Sequence, residues 1–279
     1  MADSISSRIQ SGLTFLEQSE DIIILLAVES GSRAWGFPSV DSDYDVPFIY
    51  LHRSDWYLSI ELDELRDVIE QPIRDSLDLS GWDIRKALKL FRKSNPPLLE
   101  WLQCPIVYRE QFSFAERLRA LLPAFYLPRA CFFHYLHMAR GNVREYLLGD
   151  FVWQKKHFYV LRPLLAMLWI EKNLGPVPIE FSRLVEATIT DLDLREEIHR
   201  LLEAKKAGAE LDRGPRIPAI SRFIEIEMDR FESAAVDSPS AAPPLDQLNG
   251  LFRDTLAEVW DKRSPNNGMQ PPAQTARRG

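Results

Sequence analysis

Asp43 and Asp45 are separated by a single residue, and this spacing is the feature of the sequence that most directly indicates chemistry. They stand at the start of the apolar segment 44–51, which is predicted to be a strand. Because alternate side chains of a strand share a face, both carboxylates are expected to point the same way. Two such carboxylates repel each other unless a cation lies between them, and hard oxygen ligands suit Mg²⁺ bound to triphosphate oxygens. The pair therefore predicts a site for Mg²⁺ or Mn²⁺.

A glycine turn precedes this pair in the chain. Gly31-Ser32 follows the apolar, β-branched run 22–28, which is typical of a buried strand. Glycine lets the backbone approach a ligand closely, and its amides can face phosphate oxygens. We predict phosphate contacts at Gly31, Ser32 and the adjacent Arg33. Paired carboxylates on a rigid strand beside such a turn are the parts that phosphoryl transfer requires.

Together these residues resemble the nucleotidyltransferase superfamily, which includes DNA polymerase beta, poly(A) polymerases and aminoglycoside nucleotidyltransferases. Its pattern is an apolar strand, Gly-Ser or Gly-Gly, a spacer, Asp-x-Asp or Asp-x-Glu, and a third carboxylate on a later strand. Here residues 33–42 form the spacer. Over residues 25–185 the chain also resembles the RNA-ligase-associated predicted nucleotidyltransferases, through GSRAWGFPS, DSDYDV, SGWDIRKALKLFRKSNPPLLEWLQCPIVY and KKHFYVLRPLLA.

The resemblance implies an α/β (α+β) domain with a small mixed sheet, followed by an all-α domain. It also implies transfer of a nucleoside monophosphate from a nucleoside triphosphate such as ATP, with release of pyrophosphate. Lys155 and Lys156, which precede the segment FYVLRPLLA, are implied phosphate contacts. It does not select among the four nucleotides, and the acceptor can be RNA, a protein hydroxyl or a small molecule.

The third carboxylate of that pattern is assigned to Asp78. It lies between Leu77 and Leu79 on a short predicted strand, the apolar-acid-apolar arrangement of the family. Asp75 and Asp83 are the alternatives. Asp83 has another explanation at a helix start, and Asp75 has one in a turn.

Two features of the motif region leave questions open. Relatives generally carry arginine after Asp-x-Asp-Val, whereas this chain has Pro47. Proline cannot donate to a sheet ladder, so the strand is expected to be an edge, to be bulged or to lack one hydrogen bond. Trp35 and Phe37 are expected either to stack on a base or to pack the loop onto the core.

The remaining periodicity predicts the domain organisation. We assign residues 1–125 to the catalytic domain, residues 126–262 to the helical domain and residues 263–279 to a disordered tail. Ser80–Asp83 are read as a capping box before a helix that Asn95-Pro96-Pro97 ends. Further strands are expected at 67–69 and 77–79, and helices at 5–18, along two apolar stripes between 132 and 168, and at 192–209, 219–234 and 245–260, with a linker at 236–244.

Composition limits the function classes. A net charge of −7 does not favour extensive electrostatic binding of a long polyanion. The two cysteines lack zinc-ligand spacing. No apolar segment is long enough to cross a membrane and no export signal is evident, so a soluble cytoplasmic protein is expected. The sequence does not determine the oligomeric state.

Two rival functions fit the same motif. One is an inactive, nucleotidyltransferase-like protein that binds nucleotide as a regulator or antitoxin-like partner, which Pro47 favours. The other is an enzyme that adenylylates an antibiotic hydroxyl.

Overall fold

Two of the predicted strands form the centre of a five-stranded mixed sheet in the computed structural model, which describes residues 4–40, 42–61, 64–208, 213–234 and 243–261. The strands are β1 (Ile23–Val28), β2 (Tyr44–Leu51), β3 (Val68–Glu70), β4 (Leu77–Asp83) and β5 (Val107–Glu110). Their order across the sheet is β3-β4-β2-β1-β5. The β2 and β4 strands run parallel, and all other neighbours are antiparallel.

Helices cover both faces of this sheet and form most of the second half of the described chain. The first five are α1 (Ile5–Ser19), α2 (Gly31–Ala34), α3 (Ile84–Arg92), α4 (Pro96–Gln103) and α5 (Phe114–Phe125). They are followed by α6 (Pro128–Tyr146), α7 (His157–Glu171), α8 (Phe181–Thr188), α9 (Leu192–Lys206), α10 (Pro218–Ala234) and α11 (Asp246–Trp260). A two-stranded ribbon joins β6 (Phe151–Trp153) to β7 (Arg213–Pro215). The predicted α/β fold followed by helices is confirmed, whereas β5 and the ribbon were not predicted.

The two faces of the sheet bury different side chains. On one face the apolar stripe of α1 (Ile9, Leu13 and Leu16) packs on Val46 and Phe48. On the other face a larger core includes β1, β2 and side chains of the helices as far as Val259. This core is continuous across residue 125, and the predicted domain boundary there stays a prediction. No helix among the described ranges is long and apolar enough to span a bilayer.

The helix α11 returns to the sheet-bearing half, although the sequence assigned it to the helical domain. The indole Nε1 of Trp260 donates to the His52 carbonyl at 3.0 Å, and the Ser113 hydroxyl donates to Glu258 at 2.6 Å. The Tyr57 and Phe252 rings meet edge to face at 5.0 Å. The helix α11 therefore packs against the sheet-bearing half of the chain.

The capping-box prediction at Ser80–Asp83 is wrong. These residues complete β4, where pairing with β2 on one side and β3 on the other satisfies the backbone groups that a helix start would leave open. Gly81 is required by this pairing, because a Cβ there would lie 2.1 Å from the Phe48 ring. Asp83 alone caps α3, accepting from the Arg85 amide at 2.8 Å. Asn95 likewise begins α4, although Asn95-Pro96-Pro97 was read only as a helix end.

Pro47 lies in an interior strand, so the edge-strand alternative is wrong. The Tyr44 amide faces β4 and the Asp45 amide faces the β1 side. Since these directions alternate along a strand, the missing donor of Pro47 also faces the β1 side. The last pair of the β1–β2 ladder is Ala27 with Phe48, so the ladder does not extend to Pro47. The proline therefore occupies a place where the ladder has already ended.

A buried polar network joins the turn after β1 to the helices. Arg162 of α7 is only 2% exposed and donates to Glu100 of α4 at 2.6 Å. Glu100 also accepts from the Trp35 indole at 3.2 Å, and the Trp35 carbonyl accepts from the Phe181 amide at 3.0 Å. The glycine turn is thereby fixed to the helical part of the chain.

We expect Arg162→Met to lower the free energy of unfolding by about 3–5 kcal/mol, because it leaves the Glu100 carboxylate buried without its cation. The double variant Arg162→Met/Glu100→Gln should recover much of this loss, since no buried charge then remains. Denaturant unfolding followed by circular dichroism measures both. Arg200→Ala removes an exposed pair with Glu196 and Glu197 and serves as the control. A single variant as stable as the wild type would show that the network is not structural.

Candidate active site

Three carboxylates converge where β2 and β4 begin. Asp45 and Asp78 are direct neighbours in the parallel register, so their side chains share one face of the sheet. Burial raises the pKa of Asp45, and the charges of Asp78 and Asp43 raise it further. Burial together with the charges of Glu70 and Asp43 raises the pKa of Asp78. Asp43, Asp45 and Asp78 therefore lie within one electrostatic cluster.

This cluster has the character of a partly built cation site. Among the described residues no hydrogen-bond donor reaches these three carboxylates, and the charge of Arg33 offsets only part of the effect that burial and repulsion have on the pKa of Asp45. The same residues contain no group of three or more side chains already placed to hold a metal ion. Mg²⁺ commonly binds through one or two carboxylates and completes its shell with substrate phosphates and water. Asp43 and Asp45 fit this mode of Mg²⁺ binding.

Gly31 lies directly against the Asp45 carboxylate. Its backbone has φ +60°, and a Cβ at this position would lie 2.4 Å from the Asp45 Oδ2 atom. The Ser30 amide donates to the Asp45 carbonyl at 2.8 Å, which joins the turn to β2. Only glycine satisfies both the backbone angle and the close approach.

Glu29 holds this junction together and is not among the site residues predicted from the sequence. It is 1% exposed and accepts from the amides of Ser30 and Asp45 at 3.3 and 3.1 Å, while the Tyr108 hydroxyl donates to it at 2.5 Å. Burial raises its pKa. An acidic residue at the end of an apolar strand, directly before a glycine turn, was the available signal.

Ser32 and Arg33 stabilise the loop that leads to the aspartates. The Ser32 hydroxyl donates to the Ser42 hydroxyl at 3.1 Å. Arg33 donates to the carbonyls of Ser42 and Asp43 at 2.7 and 3.1 Å, and its guanidinium lies 3.6 Å from the Tyr44 ring centroid. Its charge also lowers the pKa of Asp45 against the dominant effect of burial. Arg33 thus supports Asp43 and Asp45, while a direct contact with phosphate stays a prediction.

The two aromatic residues of the turn pack onto the helices. Phe37 is 1% exposed, with its ring 4.7 Å from that of Phe158 and 5.3 Å from that of Phe181. Trp35 lies against Tyr159 and Arg162. Of the two alternatives left open by the sequence, core packing describes both side chains.

Basic residues of the helical half lie near Tyr159, which the charges of Asp45 and Asp43 also reach. Lys155 and Lys156 lie in a 3₁₀ turn over Gln154–Lys156, and the Lys156 ammonium is 4.3 Å from the Tyr159 ring centroid. Burial raises the pKa of Tyr159 and the charges of Asp45 and Asp43 raise it further, so the phenol is within electrostatic reach of the aspartates. Burial and the charge of Lys155 lower the pKa of Lys156 and also that of Lys205. The charge of Lys155 therefore reaches both Lys156 and Lys205.

Lys205 and Tyr159 were not found from the sequence. Lys205 lies on α9, with its ammonium 5.7 Å from the Phe37 ring centroid. It lies far along the chain from every motif residue, so no sequence pattern linked it to the site. Tyr159 stood within the segment that follows Lys155-Lys156, but its aromatic character alone did not separate it from core residues.

The alternatives for the third carboxylate lie elsewhere. Asp75 is in a turn with φ +47°, and its side chain is 87% exposed and 3.5 Å from Arg8. Asp83 is at the other end of β4, where it accepts from the Tyr57 hydroxyl at 2.6 Å and caps α3. Burial raises the pKa of Asp83 to about 6. Of the three acids, only Asp78 adjoins Asp45.

Acidic residues beside a glycine turn, on a small mixed sheet followed by helices, are the marks of the nucleotidyltransferase superfamily. Residues 5–254 match the family "RNA repair pathway DNA polymerase beta family" (RlaP), and the chain therefore belongs to that family. It is 50% identical over 257 residues to "Uncharacterized protein YcgL" of Bacillus subtilis (strain 168), a match that covers 92% of this chain and 98% of that protein.

Among solved structures, the chain is similar to the crystal structure of a nucleotidyltransferase-like protein from Exiguobacterium sibiricum 255-15. The two are 11% identical with a TM-score of 0.32, over 93% of this chain and 91% of the other. Family membership, rather than this distant likeness, supports nucleotidyl transfer as the general activity.

We expect Asp45→Asn to stabilise the metal-free protein at pH 7. The folded-state pKa of Asp45 is raised, so the wild type loses stability as pH rises from the ordinary carboxyl pKa of about 4 through the raised value. The amide cannot ionise and escapes this loss. Thermal unfolding in chelator from pH 4 to pH 8 should show the two proteins converging at the acid end. A variant that is less stable at pH 7 would mean that the carboxylate is structural.

Proposed function

We propose that this protein transfers a nucleoside monophosphate from a nucleoside triphosphate to an acceptor hydroxyl, with Mg²⁺ or Mn²⁺ as cofactor. The acceptor oxygen forms a bond to the α-phosphorus while the α–β bridging bond breaks, and pyrophosphate leaves with the bonding electrons. The observation that carries the proposal is the convergence of Asp43, Asp45 and Asp78 beside Gly31, without a hydrogen-bond donor from the described residues.

The donor set fits a divalent cation coordinated by Asp43 and Asp45. Their oxygens are hard ligands, and a cation would relieve the repulsion from Asp78 and Asp43 that adds to burial in raising the pKa of Asp45. When bound, the cation neutralises triphosphate charge and helps to orient the phosphates. The close contact of Gly31 with Asp45 brings the turn backbone and the Ser32 hydroxyl to the same place.

The lysines supply positive charge for the triphosphate. Burial and the charge of Lys155 lower the pKa of both Lys156 and Lys205, so an anion among the three lysines is favourable. The Tyr159 ring lies against the Lys156 ammonium, the charges of Asp45 and Asp43 reach its phenol, and this phenol can donate to a phosphate oxygen. Electrostatic positioning of this kind supplies most of the catalysis in phosphoryl transfer.

Asp78 is suited to receive the acceptor proton. Burial and neighbouring negative charge raise its pKa, which makes its carboxylate a stronger base than an exposed aspartate. Its place beside Asp45, on a separate strand, lets it act on the acceptor while the other two acids hold the nucleotide complex. The proposal thus separates binding from proton transfer.

We expect Asp43→Asn or Asp45→Asn to abolish transfer. Asp78→Asn should slow single-turnover transfer by about 10²-fold, within the range of general-base effects, while nucleotide affinity changes less than about tenfold. The assay follows radiolabel from each of the four triphosphates into RNA or whole-lysate acceptors, and calorimetry gives affinity with and without chelator.

Asp75→Asn is the matched control for these variants, because its exposed side chain is paired only at the surface. An active Asp45→Asn enzyme would overturn the proposal. Metal-dependent nucleotide binding without transfer to any acceptor would instead identify a regulatory nucleotide-binding protein.

A glycine pair tests the role of the turn. Gly31→Ala and Gly36→Ala both place a side chain at positive φ, but only the first meets another atom, since nothing lies within 4 Å of a Cβ at Gly36. Both variants should lose about 1 kcal/mol of stability. Only Gly31→Ala should displace Asp45 and weaken nucleotide binding in Mg²⁺, by about tenfold or more. Equal affinities in calorimetry would show that the close contact does not shape the site.

A further inference from the structure

The β6–β7 ribbon exposes aromatic side chains that the core does not use. Phe151 is 61% exposed and Trp153 is 37% exposed, whereas Val152 between them is 1% exposed. This alternation follows from the strand geometry, which places Phe151 and Trp153 on the outer face and Val152 against the protein. Large apolar side chains grouped on an outer face commonly mark a binding surface.

Positive charge accompanies these rings. Arg213 pairs with Trp153 across the ribbon, so both lie on the outer face, and Lys155 has its ammonium 5.7 Å from the Trp153 ring centroid. Lys156 follows in the next position of the chain. Glu145 is the acidic side chain whose charge acts on Lys156. The exposed acids Glu145 and Asp150 adjoin this surface, but Arg213, Lys155 and Lys156 give it more cations than acids on a chain whose net charge is −7.

The same surface leads into the candidate active site. Lys156 lies 4.6 Å from the Tyr146 ring centroid and 4.3 Å from that of Tyr159. Tyr159 is 41% exposed and lies within the field of Asp43 and Asp45. Rings and cations thus alternate from the outer face of the ribbon to the acids that would act on an acceptor.

We propose that the outer face of the β6–β7 ribbon binds the single-stranded end of a polynucleotide acceptor. Phe151 and Trp153 would stack on unpaired bases, and Arg213 and Lys155 would contact the phosphates between them. Exposed aromatic rings beside cations are the combination by which proteins hold single strands without reading sequence. The inference rests on the proposed function for its acceptor role, but binding to the ribbon is measurable without turnover.

Charge complementarity favours this occupant over a second copy of the chain. Another copy would bring a net charge of −7 and its own basic ribbon, whereas a polynucleotide brings both planar apolar rings and regularly spaced anions. A duplex fits less well, because its bases are already stacked and unavailable to Phe151 and Trp153.

The test is fluorescence anisotropy with a labelled single strand of about 12 nucleotides, within the span that single-strand sites cover. RNA, DNA of the same sequence and a blunt duplex are compared. Trp153→Ala should weaken binding of the single strand about tenfold or more, and Trp153→Phe should restore most of it, because stacking needs only a planar ring. Arg213→Ala should reduce the slope of log affinity against log salt by about 0.7.

Two variants away from the ribbon are the controls. Phe15→Ala removes a ring that is 60% exposed on α1, and Lys89→Ala removes an exposed cation on α3, and both should bind as the wild type does. If the ribbon variant Trp153→Ala loses binding to both RNA and DNA, the result supports stacking and phosphate contact. If it loses binding to RNA alone, the result supports the same surface with an added contact to the 2′-hydroxyl.

The inference and the proposed function fail separately. A wild type that binds Mg²⁺-nucleotide but no single strand would overturn the ribbon inference alone. A wild type that binds the single strand but neither binds nor transfers nucleotide would overturn the proposed function. Equal affinity for duplex, or a Trp153→Ala variant that changes oligomeric state in light scattering while still binding the single strand, would show that the ribbon serves another partner.

Discussion

The contact between the glycine turn and the Asp45 carboxylate is the constraint on which the arrangement of the site depends. The chain leaves β1, turns at Gly31 and returns through β2, and the two strands are joined at this end by Ser30 and by the buried carboxylate of Glu29. A buried acid that accepts two backbone amides fixes the turn and the strand as one unit. The turn at Gly31 and the Asp45 carboxylate therefore cannot move independently.

That unit is in turn held by the helices. Trp35 donates to Glu100, which is paired with the fully buried Arg162, so the turn is connected to α4 and α7 through charged hydrogen bonds. A buried ion pair contributes little net stability compared with apolar packing, but breaking it is costly, so it specifies one arrangement. In this protein that arrangement connects the turn beside Asp45 to the helix α7, which carries both Tyr159 and Arg162.

Like charges are concentrated in both parts of the site. Burial raises the pKa of Asp45 and the charges of Asp78 and Asp43 raise it further, whereas burial and the charge of Lys155 lower the pKa of Lys205. The charges of Asp45 and Asp43 also reach Tyr159, whose ring centroid lies 4.3 Å from the Lys156 ammonium. Under the proposed function, a cation bound together with a polyphosphate would relieve the repulsion within both groups.

The sequence by itself determined the elements and residues whose signals are local. These signals are the apolar run before Gly31, the spacing of Asp43 and Asp45, and the amphipathic stripes of the helices. Each spans only a few residues, and the structure places a strand, a turn and helices there. Tertiary structure decided everything that depends on pairing between distant segments. Asp78 became the neighbour of Asp45 through the β2–β4 register, and that pairing also drew Ser80–Asp83 into a strand that local propensity assigned to a helix start. Lys205 joined the site only because α9 packs near the turn. Such contacts have no short-range signature, since the free energy that selects them comes from burying surfaces far apart in the chain.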